Sequence, residues 1–331
     1  MNRPTHRRTA LRAALGSAAV AVLGGALAGD ASRQDSGPKG VLRLATGERT
    51  GLHSAFGHLL AAELEAAYPR LRCHVLTTDA SVANIELLRD RRADLALVLT
   101  DTARAAVQGI DPFPQPVPLS AIGRVYETYL QFAVRADLPV RAVSDLVGHT
   151  VWLGAAGSGG AVLGEALLRA AGLSPGSDVE VRHLAMTAVV HAMRAGSVEA
   201  VLVAGGVPIP VLSDLDARPG LRFLPLADLL PKLGGRDGLA GSGLAQVTLP
   251  QGAYRGAGGV PTIGVSNLLV CRPDLPRTVA DALTRLLVLR AGALVPDHAV
   301  GTQFLDVRSL IGTGSIPLHP GAVEAYRSLH G

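Results

Sequence analysis

The sequence predicts an α/β protein of two similar lobes joined by a two-strand hinge. Three observations carry that expectation. A strand–loop–helix–strand–helix–strand frame occurs twice, at 41–101 and at 150–206. The segments between its strands have helical periodicity. Two further strand-like runs, TYLQFAVR (128–135) and TIGVSNLLVCR (262–272), lie where the chain would pass between the lobes.

The first copy reads VLRLATGERTG (41–51), a helical stretch to Ala67, CHVLTTD (73–79), a second helix, then ADLALVLTD (93–101). The second reads TVWLGAAGSGG (150–160), a helical stretch to Ala171, VEVRHLA (179–185), another helix, then VEAVLVAGG (198–206). Phe56, Leu59, Leu60, Leu64 and Ala67 share one helical face, as do Val162, Leu163, Ala166, Leu167 and Ala170. The second helices present Val82, Ile85 and Leu88, and Val189, Ala192 and Met193. Strands alternating with helices imply parallel, Rossmann-like sheets covered by helices. Prolines 112, 114, 116 and 118 make the stretch from Gln108 to Ser120 a rigid surface connection. A long amphipathic helix is expected from about Pro276 to Val295. This places lobe 1 at 40–130 plus 265–331 and lobe 2 at 135–260.

The N-terminus differs in character. Arg3, Arg7, Arg8 and Arg12 fall in residues 1–28 with no acid, and an Ala-rich run ends Ala26-Leu27-Ala28. This is the pattern of a secretory signal, and the paired arginines resemble a twin-arginine one. The other reading is an uncleaved membrane anchor, although the apolar run is short for a span of about 20 residues. Either places the chain outside the cytoplasm, in the periplasm or at the cell surface. No cysteine follows the run, which argues against a lipid anchor, and residues 29–39 read as a linker. The net charge of +4 belongs to this segment. Without its four arginines the 31 basic residues fall to 27, equal to the 27 acidic ones. With aromatics at only 3%, the remainder is neither a nucleic-acid surface nor a base-stacking platform. Cys73 and Cys271 lie in apolar strands and read as buried thiols, with a disulfide as the alternative.

Candidate ligand contacts lie where strands run into helices. A Gly-rich turn lets the backbone approach a ligand, and the N–H groups that open a helix favour carboxylate or phosphate. The first loop supplies Gly47, Thr50, Gly51, His53 and Ser54. The second supplies Gly157, Ser158, Gly159 and Gly160. Strand ends add Thr78, Ser81, Asn84, Thr100, Tyr126 and Gly205. Arg49 or the hydroxyls suit a carboxylate, and Asp79 or Asp101 an amine. Neither loop is a nucleotide-binding motif, and no H-E-x-x-H or acidic cluster appears, so neither cofactor nor metal is expected. Ala156-Gly157-Ser158-Gly159-Gly160 resembles a relaxed nucleophile elbow, which keeps a Ser158 hydrolase as a minor alternative.

Five stretches, in order, resemble the TAXI family of TRAP-transporter solute-binding proteins. They are LRLATGERTGLHSAFGHLLA, TTDASVANIELLRDRRADLALV, SDLVGHTVWLGAAGSGG, YRGAGGVPTIGVSNLLVCRPDLP and IPLHPGAVEAYR. The resemblance implies a type II periplasmic-binding-protein fold, a Venus flytrap that closes on a small solute. It implies an amino acid or organic acid, anionic or zwitterionic, delivered by a monomer to a TRAP-type permease without catalysis. It places contacts at Gly51, His53, Ser54, Ser81, Asn84 and the second loop. A sensor subunit for a membrane receptor kinase would use the same site. The chain departs from the family at Leu52-His53-Ser54, where aromatics are usual, and at Gly160-Ala161, where Thr and an acid are usual.

Overall fold

The computed structural model describes residues 37–233, 242–255, 257–296 and 305–330. The segment read as a signal or anchor, 1–28, lies outside the described residues, as does most of the linker. No helix among the described residues is long and apolar enough to cross a membrane.

Both copies of the frame are present. The first is β1 (Gly40–Ala45), α1 (Leu52–Ala67), β2 (Leu71–Leu76), α2 (Ser81–Arg89) and β3 (Leu95–Leu99), followed by α3 (Thr100–Gln108). β4 (Ser120–Arg135) leads to the second copy: β5 (Thr150–Trp152), α4 (Gly159–Ala170), β6 (Glu180–Arg182), α5 (Met186–Ala195) and β7 (Ala200–Gly205). Then follow α6 (Pro210–Ala217), β8 (Leu221–Phe223), β9 (Leu244–Thr248), β10 (Pro261–Cys271), α7 (Arg277–Leu289) and α8 (Pro320–His330).

The strand order is β2-β1-β3-β10-β4-β7-β5-β6, with β8 on β4 and β9 on β10. Read from either edge, three parallel strands are followed by one antiparallel strand. The two antiparallel strands, β10 and β4, pair with each other at the centre. This is a mixed α/β sheet with two-fold pseudosymmetry.

Alternation along the strands feeds clusters on opposite faces. Leu95 and Leu97 enter one core with Phe56, Leu60 and Leu64, whereas Ala96 and Val98 enter another with Ile85 and Leu88. In the second copy Leu202 packs with Leu163 and Leu167, and Val201 with Trp152 and Met193. β3 is therefore buried throughout, as expected of a strand covered on both faces.

Matching glycines set the depth of the two loop helices. Gly57 is the sixth residue of α1, and a Cβ there would meet Thr46 Cγ2 at 2.5 Å. Gly164 is the sixth residue of α4, and a Cβ there would meet Leu202 Cδ2 at 2.8 Å. Each helix thus packs directly on the strand ends beside its own loop.

Three details depart from the sequence reading. β4 begins at Ser120, within the stretch expected to be connection, because Leu119, Ala121 and Ile122 are buried once the prolines end. α7 stops at Leu289 and a 3-10 turn, Ala291–Leu294, replaces its last turn. On α4 the buried face is Ala161, Leu163, Gly164, Leu167 and Leu168, while Val162 packs against the first copy's core. Cys73 and Cys271 are free and buried, and burial pushes each thiol up to about 12.

Tyr254 joins the second half internally. Its hydroxyl accepts from the Ile209 N–H at 2.6 Å and donates to Gln131 Oε1 on β4, whose Nε2 donates to the Gly206 carbonyl. Tyr254→Phe strands two buried polar groups. It should cost about 1–3 kcal/mol, read as a lower urea midpoint with an unchanged slope.

Candidate functional site

The two Gly-rich loops face each other. In the first, the Gly51 N–H closes a turn on the Glu48 carbonyl at 2.9 Å before α1 begins. In the second, Gly154 has a φ of +93°, and Ser158 caps α4 by accepting from the Ala161 N–H at 3.0 Å. The first N–H groups of α4, at Gly159 and Gly160, have no acceptor within the helix.

Contacts join the copies around these loops. The Ala83 N–H donates to the Gly157 carbonyl at 3.3 Å. A Cβ on Gly159 would lie 2.6 Å from Thr102 Oγ1 and 3.0 Å from Leu99 Cδ1 and Ser81 Cβ, so only glycine fits the junction. The Glu48 carboxyl lies beside the Met186 N–H, so a first-copy carboxylate faces the N-terminus of α5 of the second copy.

A cavity of about 110 Å³ lies between the loops. Its apolar walls include Leu52, Leu99, Trp152, Leu153, Met186 and Leu202. Its polar side chains are Glu48, His53, Asp79, Ser81, Thr128 and Ser158, so among the described residues no Lys or Arg lines it. Burial, and then the neighbouring Asp79 charge, raise the Glu48 carboxyl above its ordinary value, offset in part by the Met186 hydrogen bond.

His53 belongs to both the wall and the framework. Its Nε2 lies 2.8 Å from Asn267 Oδ1 and its Nδ1 3.2 Å from the Thr46 carbonyl. Asn267 Nδ2 donates to Val265 O and Thr128 Oγ1, so its Oδ1 is the acceptor and His53 carries the Nε2 proton. Burial lowers the His53 pKa, against the Asn267 Oδ1 and Thr46 carbonyl acceptors, which favour the protonated ring.

Of the residues expected to bind ligand, Gly47, Gly51, His53, Ser81, Ser158, Gly159 and Gly160 line this cavity. Thr50 and Gly205 line a neighbouring one, which Gly51 also borders. Six of the expected residues line neither. Ser54 is buried in the first turn of α1. Asn84 is fully buried and donates to the Thr46 and Leu97 carbonyls, bracing β1 against β3, while Thr78 donates to it. Thr100 donates to the Ser266 carbonyl. Gly157 meets Asp79 across the junction. Tyr126 packs between His53 and Phe56 beneath the first loop.

The reading by residue type missed Glu48, Leu52, Thr128, Trp152, Leu153, Met186 and Leu202. Trp152, the only tryptophan, stands two residues before Gly154 of the second loop, and that position was the available signal. His183 follows β6 and holds the Gly154 carbonyl. Ser158 is a helix cap, and among the described residues no hydrogen bond joins it to a histidine.

This topology, with a cavity between two loop–helix junctions, is the type II periplasmic-binding-protein fold. The chain belongs to the NMT1-like family, whose model matches residues 44–328. A solved structure from Bordetella bronchiseptica RB50 aligns with a TM-score of 0.54 at 16% identity, covering 88% of this chain and 89% of that one. The periplasmic aliphatic sulphonate binding protein SsuA of Escherichia coli aligns at 0.45 and 18% identity, over 88% and 83%. An ArgBP mutant from T. maritima aligns at 0.47 and 13% identity, over 81% and 95%.

Asp101 opens α3 outside the cavity. Burial pushes its carboxyl up to about 6, against hydrogen bonds to Thr102 and the Arg104 charge, and its Oδ1 has no partner among the described residues. The native state therefore holds the proton more tightly than the unfolded chain. Ionisation costs stability as pH rises from 3.8 toward about 6, by up to about 3 kcal/mol. Asp101→Asn should remove that fall. Urea titrations of both proteins across this range test it, since a difference constant with pH would contradict the assignment.

Proposed function

We propose that this chain is an extracytoplasmic, non-enzymatic solute-binding protein that acts as a monomer. It captures a small zwitterionic solute, such as an amino acid, between two lobes hinged by β4 and β10. The observation that carries the reading is the cavity between the loops of the two copies. Capture then follows from domain closure, because a ligand touching both loops has higher affinity for the closed form. The lining favours a zwitterion over a simple anion. Glu48 and Asp79 suit an ammonium group, while the α4 N–H groups and the Ser158 hydroxyl suit a carboxylate. With no lining cation among the described residues, a dicarboxylate would face two like charges unaided.

The family match and the fold support solute binding in general. The finer reading, a TAXI-type protein serving a TRAP permease, rests on the five sequence stretches given above. Its natural test is co-reconstitution of the purified protein with the candidate permease in vesicles, where solute uptake should depend on both.

A thermal-shift screen of amino acids, dicarboxylates and keto acids addresses capture itself. A ligand at about 100 times its Kd should stabilise the fold by about 2.7 kcal/mol. No response across the screen would defeat the capture reading. Gly159→Val should weaken any ligand found by at least about tenfold, because the added atoms hold Ser81, Leu99 and Thr102 away from α4.

A further inference from the structure

We infer that the captured solute carries an apolar tail, which lies in a second cavity behind Leu52 and Met186. The inference rests on the capture reading above and extends it to the chemical class of the ligand. The second cavity has a volume of about 160 Å³, larger than the first. The two share Gly51, Leu52, Met186, Val203 and Ala204, so only a thin partition separates them.

The chemistry changes across that partition. The first cavity has six polar side chains, two of them carboxylates. Among the described residues the second has one, Thr50, whose hydroxyl lies 3.8 Å from the Met186 sulfur. The rest of its wall is aliphatic or backbone, with Ala55, Ile209, Pro208, Pro210 and Pro296 contributing. An apolar cavity of about 150 Å³ in another protein accepts benzene, so a space of this volume suits a tail of about six carbons. The first cavity, at about 110 Å³, holds only a compact head.

Met186 is the movable part of the partition. It is the first residue of α5, only partly buried, and its unbranched thioether has three rotatable bonds. Turning it aside joins the cavities without displacing backbone. An α-amino acid with a long apolar side chain matches this two-part space: ammonium and carboxylate at the loops, hydrocarbon beyond Met186.

The test is a series of straight-chain L-α-amino acids from alanine to 2-aminooctanoate, with Kd measured by calorimetry on the intact protein. Affinity should rise about fourfold per methylene and level off once the second cavity is full, which makes norleucine about 60-fold tighter than alanine. Ala55 is exposed on α1 at the border of the second cavity, so Ala55→Trp should fold normally while filling that space. It should reduce the norleucine-to-alanine ratio to below about threefold. Binding with no gain along the series, or an unchanged ratio in Ala55→Trp, overturns the tail assignment alone. Absence of binding by every member overturns the zwitterionic head, and the tail with it.

Discussion

The antiparallel pairing of β4 with β10 is the constraint on which the rest of the structure depends. These strands form the centre of the sheet, and each also borders one copy of the frame, β10 against β3 and β4 against β7. Every displacement of one half relative to the other must pass through them. The pair is buried yet polar. Thr128, Gln131, Thr262 and Asn267 lie along it, each with a hydrogen-bond partner. Such bonds fix register in a way that an all-aliphatic pair would not. The pairing also shifts register on either side of Leu268-Leu269, the first shift falling next to Asn267, the residue that holds His53. The first loop is therefore tied to the irregular part of the central strands, where twist is most easily altered.

Pseudosymmetry places the cavity, but it does not make the cavity symmetric. The two loop helices approach the sheet at equivalent depth, through Gly57 and Gly164. The first loop nevertheless offers Glu48 and His53, and the second mainly backbone N–H groups with one hydroxyl. Opposed ends of one small cavity are thereby chemically distinct, so a bound solute has a defined direction. The lining also shows why anion affinity cannot be inferred from the two Gly-rich loops alone. Their N–H groups favour negative charge, while the side chains nearest them, Glu48 and Asp79, disfavour it.

Much of this was legible in the sequence because the duplicated frame is strongly periodic. The buried faces of α2 and α5 are the expected residues, Val82, Ile85 and Leu88, and Val189, Ala192 and Met193. The misreadings have a shared physical origin. Val162 seemed a core residue of its own helix, and its partners lie across the junction. Thr78, Asn84 and Thr100 carry groups suited to a ligand, yet they bond to backbone carbonyls or one another behind the loops, and Ser54 is buried in the first turn of α1. Conversely Leu52, Trp152 and Met186 look like core, because an apolar side chain gives no sign of whether it faces a neighbour or a void. The family tie divides in the same way. The family match spans residues 44–328 and with them the whole frame, whereas a TAXI assignment would depend on loop residues where this chain departs from that family's pattern.

The place of β10 also has a bearing on biogenesis. Among the described residues it is the last strand, but it inserts between β3 and β4. Until residues 261–271 have been made, the first copy has an unpaired inner edge and the halves have no common spine. Neither half can reach its final form by local contacts alone, and such non-local closure slows folding. A chain released from the ribosome in stages would remain open for most of its synthesis. During that interval the unpaired edge of β3 is exposed, the kind of surface that makes incomplete chains prone to aggregate.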